Sequence, residues 1–230
     1  MTYVISDLHG WPFESFLALL DKAGFSEEDT LYILGDVIDR GQDGVKYLLW
    51  LPEQKNVLMV RGNHEEMMLS CRSVFHPSHV MEFLDERWEM QNQLYIWKAN
   101  GANPTIKGLK QLNNEQRLKI RQYVRRTPLY REITVGDRNY VLVHSGFGNF
   151  DPQKPLEAYE PDDLLWYRPT LDDRYFEDKM TIFGHTPTLF YGEQYAGQII
   201  ITDTWIDIDA GAAAGYAPVL LRLDDGKTFS

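Results

Sequence analysis

The sequence predicts an α/β protein: a two-sheet β-sandwich flanked by helices, with a helical insertion at about residues 65–128. Three observations predict it. Short apolar runs alternate with amphipathic helical stretches as far as Val60, an order that implies a parallel sheet with covering helices. From about Glu65 to Pro128 the pattern is helical throughout. After Leu129 the chain becomes strand-rich, which supplies a second sheet. At 230 residues the chain fits one α/β domain, so a single domain over 1–230 is expected.

Thr2–Ser6 is the first short buried-strand candidate. Pro12 then stands where a first helical turn tolerates proline, and Phe13, Phe16, Leu17 and Leu20 follow at helical spacing to a stop at Gly24. Thr30–Leu34 is the second strand, Asp43 to Leu51 a second helix closed by Pro52, and Asn56–Val60 the third strand. In the helical stretch, Val80, Phe83, Leu84, Trp88, Gln91 and Tyr95 trace one face. Asn113 or Asn114 can cap a helix carrying Leu118, Ile120, Tyr123 and Val124. Ile133–Val135 and Asn139–Val143 flank Gly136-Asp137-Arg138, a hairpin turn. Met180–Phe183, Gln198–Thr202, Trp205–Asp209 and Val219–Leu223 complete the second sheet. Asp151–Pro169 holds four of the eleven prolines and reads as a surface loop.

Composition narrows the class. Hydrophobic residues make up 43% and charged residues 25%, near globular averages, which excludes a disordered chain. The formal net charge of −11 argues against nucleic acid or an anionic membrane as partner. An anionic ligand then needs a local positive site. Cys71 is the lone cysteine and has no internal partner, which fits a reducing compartment. Neither a signal peptide nor a membrane-length apolar run is legible, so a cytoplasmic location is expected.

Function enters where the apolar runs end. Asp7 and His9 follow the first strand, Asp36 the second, and Asn63 and His64 the third. His144 follows Asn139–Val143, and His185 follows Met180–Phe183. Ligands collect at the carboxyl ends of strands in open α/β sheets. Asp7, His9, Asp36, Asn63, His144 and His185 offer only oxygen and nitrogen donors. A thiolate zinc site is therefore excluded, and borderline divalent ions such as Mn²⁺, Fe²⁺ or Zn²⁺ are favoured. Six donors exceed one tetrahedral site but serve two ions sharing a carboxylate, which can clamp a phosphate and activate a water. Four of the six histidines fall at these tips; His76 and His79 do not.

These residues resemble a known family. Ser6-Asp7-Leu8-His9-Gly10 is similar to GDxHG, with serine for the first glycine. Gly35-Asp36-Val37-Ile38-Asp39-Arg40-Gly41 fits GDxxDRG, and Gly62-Asn63-His64-Glu65 fits GNHE. His144-Ser145-Gly146 and Gly184-His185-Thr186 are similar to two later histidine motifs. Together, in this order, they resemble the metallophosphoesterase superfamily and, within it, the phosphoprotein phosphatases of bacterial and phage type.

The resemblance implies roles. Asp7, His9 and Asp36 hold one metal ion; Asp36 bridges, and Asn63, His144 and His185 complete a second. The cofactor is two divalent ions, manganese first, with iron or zinc accepted by the same donors. A water bridging the ions attacks phosphorus. His64 protonates the leaving group, with Asp39 orienting its imidazole, and Arg40 and Arg168 grip the phosphate. Arg61 is a weaker third arginine. Trp97 to Ala102 is similar to a segment on the site rim, although a helix ending at Gly101 explains it equally well. Glu65 and Glu66 read as helix-starting acids rather than ligands.

The expected function is hydrolysis of phosphoserine and phosphothreonine on proteins, with phosphotyrosine also within reach of a compact pocket. The expected partner is thus a phosphorylated protein or peptide, with neither nucleic acid nor membrane. The alternative is a dinucleoside polyphosphate hydrolase of the same superfamily. Relatives of that kind tend to lack the second aspartate of GDxxDRG and to carry GNHD; Asp39 and Glu65 stand against it. A non-catalytic metal-binding scaffold is the third reading, and no ligand is missing to support it.

Overall fold

The computed structural model describes residues 1–71, 74–75 and 84–230, with the side chains of 84–90 left aside. The inner strands form two five-stranded sheets. In the first, β1 (Thr2–Ile5), β2 (Thr30–Ile33) and β3 (Val57–Met59) run parallel. The antiparallel β9 (Leu220–Arg222) and β10 (Thr228–Phe229) complete the order β10-β9-β1-β2-β3. The second has the order β4-β5-β6-β8-β7. Its strands are β4 (Tyr130–Val135), β5 (Arg138–Val143), β6 (Met180–Phe183), β7 (Ile200–Ile201) and β8 (Trp205–Asp207). There β5, β6 and β8 are parallel.

The period-2 alternation of each strand assigns its two faces. Val4, Leu221, Tyr140, Leu142, Ile182 and Ile206 point into the layer between the sheets. Tyr3, Ile5, Leu31, Ile33, Val57 and Met59 point outward, under α1 (Phe13–Ala23) and α2 (Gly44–Trp50). These strands read as continuous apolar runs because both faces are covered. On the far side, Val141, Val143, Phe183 and Trp205 are covered mainly by Phe147, Leu156, Tyr159, Leu164, Tyr175 and Phe176.

That cover corrects one expectation. Residues 151–169 contain a short 3₁₀ turn and α7 (Pro161–Leu165), and they bury Leu156, Tyr159, Leu164 and Leu165. The prolines start turns in this segment, and its aromatic and leucine side chains do the work of a helix. Other boundaries shift slightly. The hairpin turn is two residues, since Val135 already pairs with Arg138. The strand β10, two residues long, has no periodic signal of its own.

Helices α3 (Asn63–Ser70), α4 (Leu84–Ala99), α5 (Asn103–Gln111) and α6 (Asn114–Arg126) lie between β3 and β4. Asn113 caps α6: its side chain accepts from the Gln116 N–H at 2.9 Å, and Gln116 Oε1 accepts from the Asn113 N–H, a reciprocal box. On α4 the expected face differs. Tyr95 is exposed, whereas Trp97 is fully buried; Val80 and Phe83, like His76 and His79, lie outside the described residues. Cys71 is buried and free, and burial pushes its thiol up to about 11. No described helix is long and apolar enough to cross a membrane.

Candidate metal and phosphoester site

The strand tips of both sheets meet at one end of the sandwich, rather than on one sheet edge. From the first sheet come Asp7 and His9 after β1, Asp36, Asp39 and Arg40 after β2, and Asn63 and His64 at the start of α3. From the second come His144 after β5 and His185 after β6. Contacts cross between the sheets: Asn63 Oδ1 lies 2.8 Å from His144 Nε2 and 3.2 Å from His185 Nδ1. The His185 N–H donates to Asp7 Oδ2 at 2.9 Å.

Asp36 is central. Its Oδ2 lies 3.7 Å from His9 Nε2 and 3.5 Å from His144 Nε2. Asp7 Oδ1 lies 3.8 Å from His9 Nε2. Two ligand groups therefore share Asp36: one with His9 and His64, one with His144 and His185. Metal–ligand bonds of about 2.0–2.2 Å place two ligands of one ion roughly 3–3.5 Å apart, close to these spacings.

The imidazole tautomers suit ligation. His9 Nδ1 lies 3.1 Å from the Ile38 carbonyl and His144 Nδ1 lies 2.7 Å from that of Leu34. A carbonyl oxygen only accepts, so each Nδ1 carries a proton and each Nε2 is the nitrogen turned inward toward the candidate ligands. Burial pushes His9 down to about 3 and His185 down to about 2, which keeps both rings neutral. Burial also opposes charge on His144, but Asp36 and Asp7 outweigh it and push that ring up to about 10; its Nε2 then holds a second proton, 2.8 Å from Asn63 Oδ1, which a bound ion would displace. Burial pushes Asp7 up to about 6. Asp7 Oδ1 and His185 Nε2 are buried with no hydrogen-bond partner in the protein, as groups aimed at a cation would be. The donor set thus fits two divalent ions.

The backbone reports the same place. Among the described residues seven non-glycines adopt positive φ, and six of them are Asp7, His9, Asp36, Asp39, Arg40 and His185. Each costs of order 1 kcal/mol, so the surrounding structure must over-determine them. Glycines permit the close approaches. A Cβ on Gly62 would run into the Asp36 carboxylate, and one on Gly184 into that of Asp7.

Glu65 holds the frame. Fully buried, its carboxylate accepts from the N–H groups of Asp36 (2.8 Å), Val37 (3.0 Å) and Gly62 (3.0 Å). It starts α3, as expected, and also ties the loop after β2 to the loop after β3. Replacing Glu65 by alanine leaves three buried N–H groups unpaired. We expect a loss of roughly 3 kcal/mol or more at about 1–3 kcal/mol each, read as a lower urea midpoint.

His64 and Asp39 form a second unit. His64 Nδ1 donates to Asp39 Oδ2 at 2.7 Å. The same carboxylate accepts from Trp97 Nε1 at 2.7 Å and from Thr105 Oγ1 at 2.6 Å. Asp39 is fully buried, so these donors fix its plane. Burial alone would lower the His64 ring; Asp36 and Asp39 reverse that and raise it. Gly101, at positive φ, accepts the Arg40 N–H at 2.9 Å. The 97–105 segment is thus both a helix stop and a buttress for Asp39 and Arg40.

The arginines divide. Arg40 Nη2 lies 3.4 Å from His64 Nε2, and Arg168 Nη1 donates to the His185 carbonyl at 3.0 Å. Both are exposed at the mouth of the site. Arg61 instead pairs with Glu66 at 2.9 Å, which engages it elsewhere.

Three residues here carried no expected site role: Thr105, Asp207 and Asp209; Trp97, read as part of a rim segment or a helix end, instead lies buried and holds Asp39. Both aspartates are buried, and burial pushes each well above the usual carboxylate range, with Asp7 a contributing charge for both. They stand at the tip of β8, the third parallel strand of the second sheet, so the strand-end rule that found His144 and His185 applies equally to them.

A family description, calcineurin-like phosphoesterase, matches residues 2–203. A symmetrical bis(5′-nucleosyl)-tetraphosphatase of Buchnera aphidicola is 36% identical over 87 residues, which is 37% of this chain and 31% of that protein. The match thus spans about a third of the length of that relative. Serine/threonine-protein phosphatase 1 of Salmonella typhimurium is 26% identical over 195 residues, covering 80% of this chain and 78% of its own. A solved structure, provisionally named a diadenosine tetraphosphatase, superposes with TM-score 0.65 over 99% of this chain and 90% of its own. At 15% identity it shows the fold alone.

Proposed function

The chain belongs to the calcineurin-like phosphoesterases, hydrolases that use divalent metal ions, and from that premise we propose that it is a phosphomonoesterase acting on phosphoserine and phosphothreonine of proteins. The observation that carries this reading is the buried His64–Asp39 pair. A serine or threonine alkoxide is a poor leaving group unless it is protonated as it departs, and a positioned imidazolium supplies that proton. A phosphoanhydride expels a phosphate that needs little such help.

In this proposal Asp7, His9 and Asp36 hold one ion, and Asp36, Asn63, His144 and His185 the other. When bound, two such ions neutralise phosphate charge and activate a water for in-line displacement. The chain's own residues do the rest. Asp36 spans both groups, Arg40 and Arg168 bracket the mouth to orient the phosphate, and His64 Nε2 faces the same mouth. Asp39 holds the ring through Nδ1.

A second reading is favoured by the relatives' names, more of which are symmetrical tetraphosphatases than protein phosphatases. By name the comparisons therefore weigh toward a dinucleoside polyphosphate substrate. Turnover of a phosphoserine peptide and of diadenosine tetraphosphate, measured side by side on Mn²⁺-loaded protein, decides between them. Faster turnover of the tetraphosphate overturns the first reading.

Metal removal is expected to abolish activity with either substrate. It should also lower the melting temperature, because ions that bind only the folded chain add about 2.7 kcal/mol at a hundredfold excess over Kd. Restoring Mn²⁺, Fe²⁺ and Zn²⁺ in turn, with calorimetry, measures both.

A further inference from the structure

Two large apolar rings stand exposed beside the second ligand group. Trp166 is 41% exposed and Phe190 65% exposed. The Trp166 ring centre lies 6.2 Å from that of His185, at 89°. Arg168, between them in function, donates to the His185 carbonyl and carries its guanidinium 5.9 Å from the Phe190 ring. Scattered exposed apolar residues are ordinary; two aromatic rings, one against His185 and one under the guanidinium that His185's carbonyl holds, are not a scatter.

Their positions are also set in advance. Trp166 directly follows α7, its N–H donating to the Asp162 carbonyl at 3.2 Å. Phe190 sits in a 3₁₀ turn only five residues after His185, its N–H donating to Pro187 O at 2.8 Å. Thr188 anchors that turn: its N–H donates to the Asp209 carbonyl, and its Oγ1 contacts the carbonyls of Tyr195 and Gln198. A ring held on a short pinned turn loses little freedom when a ligand stacks on it.

We propose that Trp166 and Phe190 form a subsite for a planar aromatic ring joined to the phosphate that Arg168 grips. This rests on the phosphoesterase reading of the site and extends its substrates beyond phosphoserine and phosphothreonine, which carry no such ring. The ring's chemistry is common to a phosphotyrosyl side chain and a nucleobase. The guanidinium supplies the anion contact, and the two rings supply dispersion and stacking, which an aliphatic group of equal size does not match.

The test compares phenylphosphonate with cyclohexylphosphonate, binding being measured by calorimetry on the Mn²⁺-loaded protein. Wild type is expected to prefer the planar ligand. Trp166→Ala, Phe190→Ala and Phe190→Leu are each expected to reduce that preference roughly 5- to 100-fold, the range that stacking one ring provides. Phe190→Leu keeps apolar bulk, and an unchanged melting temperature shows that it folds. No preference in wild type, or a preference retained in all three variants, overturns the subsite. Because binding is read without turnover, an inactive protein would sink the proposed activity and leave this test standing. Competition by a phosphotyrosyl peptide and by diadenosine tetraphosphate then identifies the ring's source. The competitor weakened by Phe190→Leu is the one that uses the subsite, and weakening of neither overturns it.

Discussion

Asp36→Asn is expected to lower kcat by about three orders of magnitude, roughly 4 kcal/mol of barrier. Among the described carboxylates, Asp36 Oδ2 alone lies within 4 Å of ring nitrogens from His9, His64 and His144. An amide keeps its size and keeps an acceptor for the His64 N–H, which donates to Oδ1 at 3.0 Å. It removes the negative charge that both ligand groups share. Metal stoichiometry, measured by elemental analysis after gel filtration, should fall from two to one or fewer. Without metal, burial opposes the Asp36 charge, but His144, His64 and His9 outweigh it and hold the carboxyl well below its usual range, so the metal-free variant should melt somewhat below metal-free wild type. Its metal-dependent gain in melting temperature should shrink. Full activity with two bound ions would sink the bridging assignment.

His64→Asn is the second large effect, and its signature is dependence on the leaving group. General-acid assistance contributes about 10²–10⁴ in rate. For a phosphoserine peptide we expect a loss in that range in kcat, with KM changed little. For 4-nitrophenyl phosphate, whose leaving group departs without a proton, the loss should be tenfold or less. Asp39→Asn should follow the same pattern at smaller size, because it unties the ring without removing it. Trp97 and Thr105 hold the far side of that carboxylate, so the effect reaches into the helices between β3 and β4. Equal losses on both substrates would place His64 in phosphate binding instead.

Much of this site is legible from residues alone because strand-end chemistry is local. Glycine, a carboxylate and a histidine following an apolar run state where a strand stops and what stands at its tip. Asp7, His9, Asp36, Asn63, His144 and His185 were all readable in that way. Asp207 and Asp209 were equally available by that rule, but the run Trp205–Asp209 reads as strand and hides its own end. The contacts of Trp97 and Thr105 with Asp39 were not available. Their bonds to Asp39 span 58 and 66 residues, and no periodicity records a partner that distant. Residues 151–169 failed for another reason: proline density signals turns, and burial of Leu164 and Leu165 depends on an opposing sheet face.

By itself the sequence determined the two-sheet plan, the order of the strand tips and the oxygen and nitrogen donor set. Each of these follows from short-range covalent neighbours and from the need to bury alternating side chains. Only the tertiary structure decided which tips face one another across the sandwich, which ring nitrogens are turned inward, and which residues accept a left-handed backbone to achieve it. Those features arise from contacts between segments more than a hundred residues apart, such as His144 with Leu34 and His185 with Asp7. A carbonyl or carboxylate at 3 Å sets a tautomer and a ring direction, and that geometry exists only once both sheets have packed.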